Sequence, residues 1–155
     1  MDALKELREE TGLSFAQIKK ALDEAQGDKE KAREILSAYS SAQAEKKADR
    51  EITAGKVAAY VHSNGTIGVL LELGCETDFV ANTDEFKDLA RDLAMHVCAM
   101  APTSINNEDG AGEETALIKQ SFIKNPDMTV EQQIQAAIQK LGENVKVTKF
   151  TRYAI

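Results

Sequence analysis

From residue 2 to residue 40 the apolar side chains recur every three or four positions. That spacing predicts helices, because residues three and four apart share one helical face. Leu4 and Leu7 mark a first helix, which Thr11-Gly12 interrupts. Ser14 with Gln17 three residues later forms a capping box that opens a second helix, whose stripe is Phe15, Ile18, Leu22 and Ala25. Gly27 is a left-handed stop, and Asp28 caps a third helix lined by Ala32, Ile35, Leu36 and Tyr39. Residues 41–51 hold no apolar side chain larger than alanine, so they predict a solvated linker with helical propensity but no face to bury.

After Gly55 the period changes to two. Lys56 to His62 predicts a strand containing Val57 and Val61, and Asn64-Gly65 predicts a type I′ hairpin turn. Ile67, Val69, Leu71 and Leu73 alternate with smaller or polar residues, as in a half-buried second strand. Gly74 to Asn82 reads as a loop. Thr83 then caps a helix with Asp84 and Glu85 in its first turn, where the helix dipole favours acids. Its apolar face is Phe86, Leu89, Ala90, Leu93, Val97 and Ala101, and Pro102 ends it. Residues 103–113 read as a loose polar loop and 114–124 as a short helix. Thr129 with Gln132 repeats the capping box, Ile134, Ile138 and Leu141 face inward, and Gly142 stops the helix before a last strand from Val145 to Tyr153.

The order predicts an α+β fold: a three-helix head at 1–40, a linker at 41–54, and a core at 55–155. In the core a small, mostly antiparallel, three-stranded sheet packs against helices. The last strand is expected to join the hairpin, because two strands alone are marginal.

Charge narrows the partners. The chain of 155 residues has 19 basic and 26 acidic side chains, net −7. Residues 51–100 carry 3 basic and 8 acidic of these, so the acidity sits in the middle third. A phosphate-backbone binder or an anionic-membrane binder needs the opposite sign, so neither nucleic acid nor membrane is an expected partner. No apolar run approaches the roughly 20 residues of a membrane span. Met1 to Glu6 has no signal-like apolar core and no transit-peptide character, and two cysteines make no disulfide framework; the expected setting is the cytoplasm.

Catalytic patterns are missing. There is no Gly-x-x-x-x-Gly-Lys loop, Gly-x-Gly-x-x-Gly, Gly-x-Ser-x-Gly or His-Glu-x-x-His, and the cysteines are not at metal-ligand spacing. A thiol enzyme would need Cys75 activated by His62 or His96. Cys75 also reads as a small buried residue at a strand end. Glu76 and Asp78 in a loop are a minimal start for a divalent-cation site, without the further oxygen ligands one requires. No enzyme activity, cofactor or metal is expected.

The segment Glu72-Leu73-Gly74-Cys75-Glu76-Thr77-Asp78-Phe79-Val80-Ala81-Asn82 sets an acid beside an aromatic between a strand and a capped helix. Two readings stand. Either Phe79 turns into the core, as most loop aromatics do, or it projects as a wedge into a partner's pocket with Asp78 carrying negative charge beside it.

This segment resembles the Glu-Leu-Asn-Cys-Glu-Thr-Asp-Phe-Val-Ala motif of bacterial elongation factor Ts, with Gly74 in place of the usual Asn. Leu7 to Leu22 resembles that family's first signature, whose core is Thr-Gly-Ala-Gly-Met-Met-Asp-Cys-Lys-Lys-Ala-Leu. It matches at Thr11-Gly12 and at Lys19-Lys20-Ala21-Leu22. Leu141-Gly142-Glu143-Asn144-Val145 is similar to the family's Ile-Gly-Glu-Asn-Ile. The resemblance implies guanine-nucleotide exchange on GDP-bound elongation factor Tu in translation elongation. It implies a head similar to ubiquitin-associated domains that docks on the GTPase, with Lys19 and Lys20 as docking residues, and a core for dimerisation and exchange. Thr77, Asp78, Phe79 and Val80 would be the intruding segment that dislodges magnesium. Longer members carry a second core repeat or a helical hairpin insertion, which this chain lacks. Short single-core members act as homodimers. Lys149 stands where the family often has Arg. A non-exchanging adaptor that holds a protein partner with its head is the alternative reading.

Overall fold

The computed structural model describes residues 2–155; Met1, where the predicted head begins, lies outside them. Helices α1 (Asp2–Thr11), α2 (Phe15–Glu24) and α3 (Lys29–Lys47) open the chain. Their ends form for the expected local reasons. Gly12 turns left-handed at φ +65°. The Ser14–Gln17 capping box closes in both directions, and Asp28 accepts the amides of Glu30 and Lys31 at 3.0 and 3.1 Å. Leu7, Leu13, Ile18, Ala21, Ala25, Ala32 and Leu36 make a small core of their own. Phe15, expected in that stripe, is exposed instead.

The stretch read as a solvated linker is different. Residues 41–47 continue α3. Ser40 is buried and its hydroxyl bonds the Gln139 side chain, while Ala44 packs against the larger core. The small side chains let α3 lie close against a second helix instead of facing solvent. Exposed, irregular chain begins only after it, at Ala48 to Glu51.

Strand β1 (Ala54–Val61) pairs antiparallel with β2 (Ile67–Cys75), from Ala54↔Cys75 to Val61↔Gly68. The turn is not type I′. Asn64 is not left-handed; only Gly65 is, at φ +73°. Gly65 N–H donates to the His62 carbonyl at 2.7 Å, and the Asn64 side chain accepts from the Thr66 amide. Following β2 come a one-turn helix α4 (Asp78–Ala81) and the long α5 (Asp84–Met100). Helix α5 stops one residue early: Ala101 is an exposed left-handed cap at φ +46° rather than part of the apolar face.

Residues 103–113 are tied down, not loose. Ser104 bridges Ala116, and Glu108, Asp109 and Asn107 accept loop amides. Residues 114–124 do not form the expected helix. Two 3-10 turns (Glu113–Thr115 and Leu117–Lys119) lead to a small ladder, β3 (Ser121–Phe122) with β4 (Asn125–Thr129). Pro126 disfavours helical backbone at Asn125, and the Gln120 amide group bonds the carbonyls of Met100 and Glu114. Helix α6 (Val130–Leu141) opens on the Thr129–Gln132 capping box and ends on left-handed Gly142.

Strand β5 (Lys146–Ala154) joins the hairpin, giving the antiparallel order β1-β2-β5. The chain is thus α+β, as predicted, with a three-stranded sheet against helices. Val69, Leu71, Leu73 and Cys75 point from β2 into the main core with Phe86, Leu93 and Val97 of α5. The opposite face of the sheet is open. Val57, Val61, Leu70 and Tyr153 are exposed on it.

Candidate partner-binding site

The end of β2 builds the site. Cys75 is its last residue, and Thr77 stays extended (φ −129°, ψ 152°) as the cap of α4, accepting the Val80 amide at 3.3 Å. The segment read as a loop is therefore strand to Cys75 and then a single helical turn. Asn82 closes that turn by donating its amide and side-chain NH2 to the Asp78 carbonyl, at 3.1 and 2.9 Å. The Thr83 hydroxyl donates to the Val80 carbonyl at 2.7 Å and accepts the Phe86 amide, so the next helix starts at once.

A helical turn separates successive side chains by about 100°, and this one sorts the four candidates into two sets. Thr77, Asp78 and Phe79 face outward. Phe79 is 84% exposed and does not turn into the core. Val80 does: it is 5% exposed and packs in the main core beside Ala81. Val80 thus anchors the turn from inside the core, so of the four residues of the expected intruding segment Thr77, Asp78 and Phe79 are the exposed ones. Asp78 forms no ion pair among the described residues; Glu76 beside it pairs with Arg50 at 3.6 Å.

A second carboxylate organises this corner. Glu143, at the root of β5, accepts the amides of Glu76 and Thr77 at 3.1 and 3.0 Å and the Thr77 hydroxyl at 2.6 Å. Asn144 donates its side chain to the Arg50 carbonyl at 2.9 Å and its amide to Glu76 at 3.3 Å. In the sequence Glu143 and Asn144 belong to a motif with no role assigned to either. Their signal was an acid and an amide directly after a helix-stopping glycine, with no local use.

The other candidates do not assemble. Burial pushes the Cys75 thiol up, the reverse of activation, and its S–H donates to the Thr77 carbonyl. His62 sits at the hairpin tip. His96 is buried, stacked on Phe122, with Nδ1 accepting the Ile123 amide at 3.1 Å and Nε2 against Gln120 at 3.0 Å. Glu76 and Asp78 gain no third ligand; among the described residues no group of three His, Cys, Asp or Glu side chains could hold a metal. No helix among them is long and apolar enough to cross a membrane.

Lys19 and Lys20 are both exposed on α2 but serve different surfaces. Lys19 borders a groove of about 550 Å³ with Leu4, Phe15 and Leu22. Lys20 lies over the Tyr39 ring at 5.3 Å and 3.9 Å from Glu24, engaged with its own domain.

The family model for elongation factor TS matches residues 6–112, which include both the head and the Thr77–Val80 turn. The chain belongs to the elongation factor Ts family. Among its relatives, elongation factor Ts of Thermotoga maritima is 43% identical over 189 positions, covering 100% of this chain and 95% of that one. That of Carboxydothermus hydrogenoformans is 42% identical over 188 positions, covering 98% and 87%. That of Fervidobacterium nodosum is 40% identical, covering 98% and 95%. The Thermotoga alignment runs 189 positions against 155 residues, so that relative has at least 34 positions this chain lacks within the matched length. Family membership makes the chain a translation elongation factor of protein biosynthesis.

Proposed function

We propose that this chain is a guanine-nucleotide exchange factor for elongation factor Tu, promoting GDP release by disturbing the partner's magnesium and phosphate site. The observation that carries the reading is Phe79, 84% exposed at the tip of a turn whose next two residues are buried. A large aromatic held out on an anchored backbone enters a pocket at little conformational cost. A GTPase holds its diphosphate through backbone donors and magnesium, so a ring driven between its elements displaces that cradle. Asp78, exposed beside it, brings negative charge toward phosphate and competes for the cation. Linkage sets the thermodynamics: factor and nucleotide weaken each other's binding by the same factor.

The head docks through the apolar groove beside Lys19 on this reading. Lys20, already over Tyr39, contributes less. The exposure of the open sheet face supports a homodimer: Val57, Ala59, Val61, Leu70 and Tyr153 form an exposed apolar strip across all three strands, which two copies cover by stacking face to face.

The test is stopped-flow release of a fluorescent GDP from elongation factor Tu. Acceleration by the chain, lost in Phe79→Ala, supports the reading. An unchanged release rate at saturating chain removes it. For the dimer, Leu70→Asp should convert a dimeric light-scattering mass to a monomeric one; an unmutated chain already monomeric at high micromolar concentration ends that part.

A further inference from the structure

Phe79 is 84% exposed, so packing of its own ring does little to aim it. Its direction is set by the backbone of residues 76–78, and that backbone is held from a distant part of the chain. We propose that the Glu143 carboxylate is the positioning residue for the Phe79 turn, an inference that rests on the exchange reading above. Glu143 follows the Gly142 stop of α6 and precedes β5, so it is fixed to both helix and sheet. One carboxylate oxygen takes the amides of Glu76 and Thr77, where β2 leaves the sheet. The other takes the Thr77 hydroxyl at 2.6 Å. That hydroxyl has one proton, and donating it to Glu143 leaves a lone pair facing the Val80 amide it caps at 3.3 Å. The path is continuous: Glu143 orients Thr77, Thr77 caps the helical turn, and the turn presents Phe79.

The opposite side of the same backbone is held as well. The Thr53 hydroxyl donates to the Glu76 carbonyl at 2.6 Å, and the Thr53 amide to the Cys75 carbonyl at 3.2 Å. Glu143 therefore meets a segment whose carbonyls are already committed; one of its oxygens fixes the two amides and the other the Thr77 hydroxyl. Three donors converge on it, and the two acceptor oxygens of the carboxylate take all of them. Glutamine keeps one carbonyl oxygen for the amides but turns an NH2 toward the hydroxyl. The hydroxyl then accepts from that NH2, and the turn is loosened rather than freed.

The experiment uses the full chain and elongation factor Tu carrying fluorescent GDP, and reads the maximal release rate at saturating chain together with amide hydrogen exchange. Glu143→Ala should lower the maximal rate about tenfold, and Glu143→Gln should recover most of that loss. The double variant Glu143→Ala/Thr77→Ala should be no worse than the more severe single, because both act through one path. In Glu143→Ala the amides of Glu76 and Thr77 should exchange about tenfold faster while those of Leu89 to Val97 keep their rates. A role confined to overall stability would speed exchange everywhere and leave the maximal rate per folded molecule unchanged, and that result overturns the proposal. If Glu143→Ala does not fold, Glu143→Gln and Thr77→Ala decide, and unmutated maximal rates in both overturn it. An unmutated chain that never accelerates release removes the exchange reading alone. The exchange rates of Glu76 and Thr77 then still show whether Glu143 holds the turn.

Discussion

The turn at Thr77–Ala81 and the loop at 103–113 use the same device to different ends. Each leaves a buried element, and in each a carboxylate accepts backbone amides. In the loop the acids are its own. Glu108 accepts from Ile105 at 2.9 Å, and Asp109 accepts from the Thr103 hydroxyl at 2.7 Å and the Ala111 amide at 3.1 Å. In the turn the acid is Glu143, 66 positions from Thr77. A loop capped by its own residues satisfies its polar groups and keeps a local shape. A turn capped from the root of β5 is fixed relative to the sheet, so a side chain on it acquires a direction. Phe79 is aimed because its support comes from elsewhere.

Phe79→Ala gives the sharpest break between the two. It should lower maximal GDP release about a hundredfold, the scale of losing an interfacial aromatic anchor, while leaving the melting temperature unchanged, since the ring touches little of its own chain. Calorimetry and stopped-flow release together check this, and a large stability loss would show that the ring has a packing role. Val80→Ala should do the reverse, costing about 1–2 kcal/mol in urea denaturation through the cavity it leaves, with exchange impaired only as the turn loosens. Thr77→Ala removes a cap and the Glu143 link, and should cost about 1 kcal/mol together with a drop in release rate. Glu108→Gln in the loop should leave release untouched; a slowed release would erase the distinction between locally and remotely held segments.

Titration sharpens it further. Backbone hydrogen bonds from Ile105 and Asn106 hold the Glu108 carboxyl below its usual range, and the Thr103 hydroxyl does the same for Asp109. Acids so lowered stabilise the loop at neutral pH, and that contribution is lost as pH falls through their folded values. Burial lowers His96 from 6.5. Its neutral Nδ1 accepts the Ile123 amide, and a protonated ring would set donor against donor there. Stability linked to His96 is complete above 6.5 and declines as pH falls below it. The melting temperature should therefore begin to drop below pH 6.5, before carboxylates titrate, and His96→Gln should flatten that early portion. A curve of unchanged shape in the variant would assign the drop elsewhere.

Legibility differed by range. Both capping boxes, the stop at Gly142, the alternation along β2 and the α+β order were read correctly, because each signal spans a few residues. The stop expected at Gly27 comes one residue earlier, where Gln26 is already left-handed at φ +55° and Gly27 continues that turn. The hairpin turn was misread because Asn64 spends its side chain on Thr66 instead of adopting left-handed backbone. Residues 41–47 and 114–124 were misread because packing decided them: α3 continues where α6 receives it, and Gln120 gives up helix for bonds to Met100 and Glu114. Gly74, noted only as a departure, is a site where a Cβ would run into the Ile52 methyl. Restoring Asn there should therefore destabilise the chain by about 1–3 kcal/mol, measured by denaturation.

The amino-acid order alone determined where helices start and stop and which strand face is apolar, since hydrogen bonds and periodicities within about four residues decide both. The tertiary structure alone decided that Phe79 points out while Val80 points in, and that Glu143 meets Thr77. Those relations depend on the register of β2 against β5 and on where α6 ends, and a contact between groups 66 positions apart leaves no periodic trace in the chain.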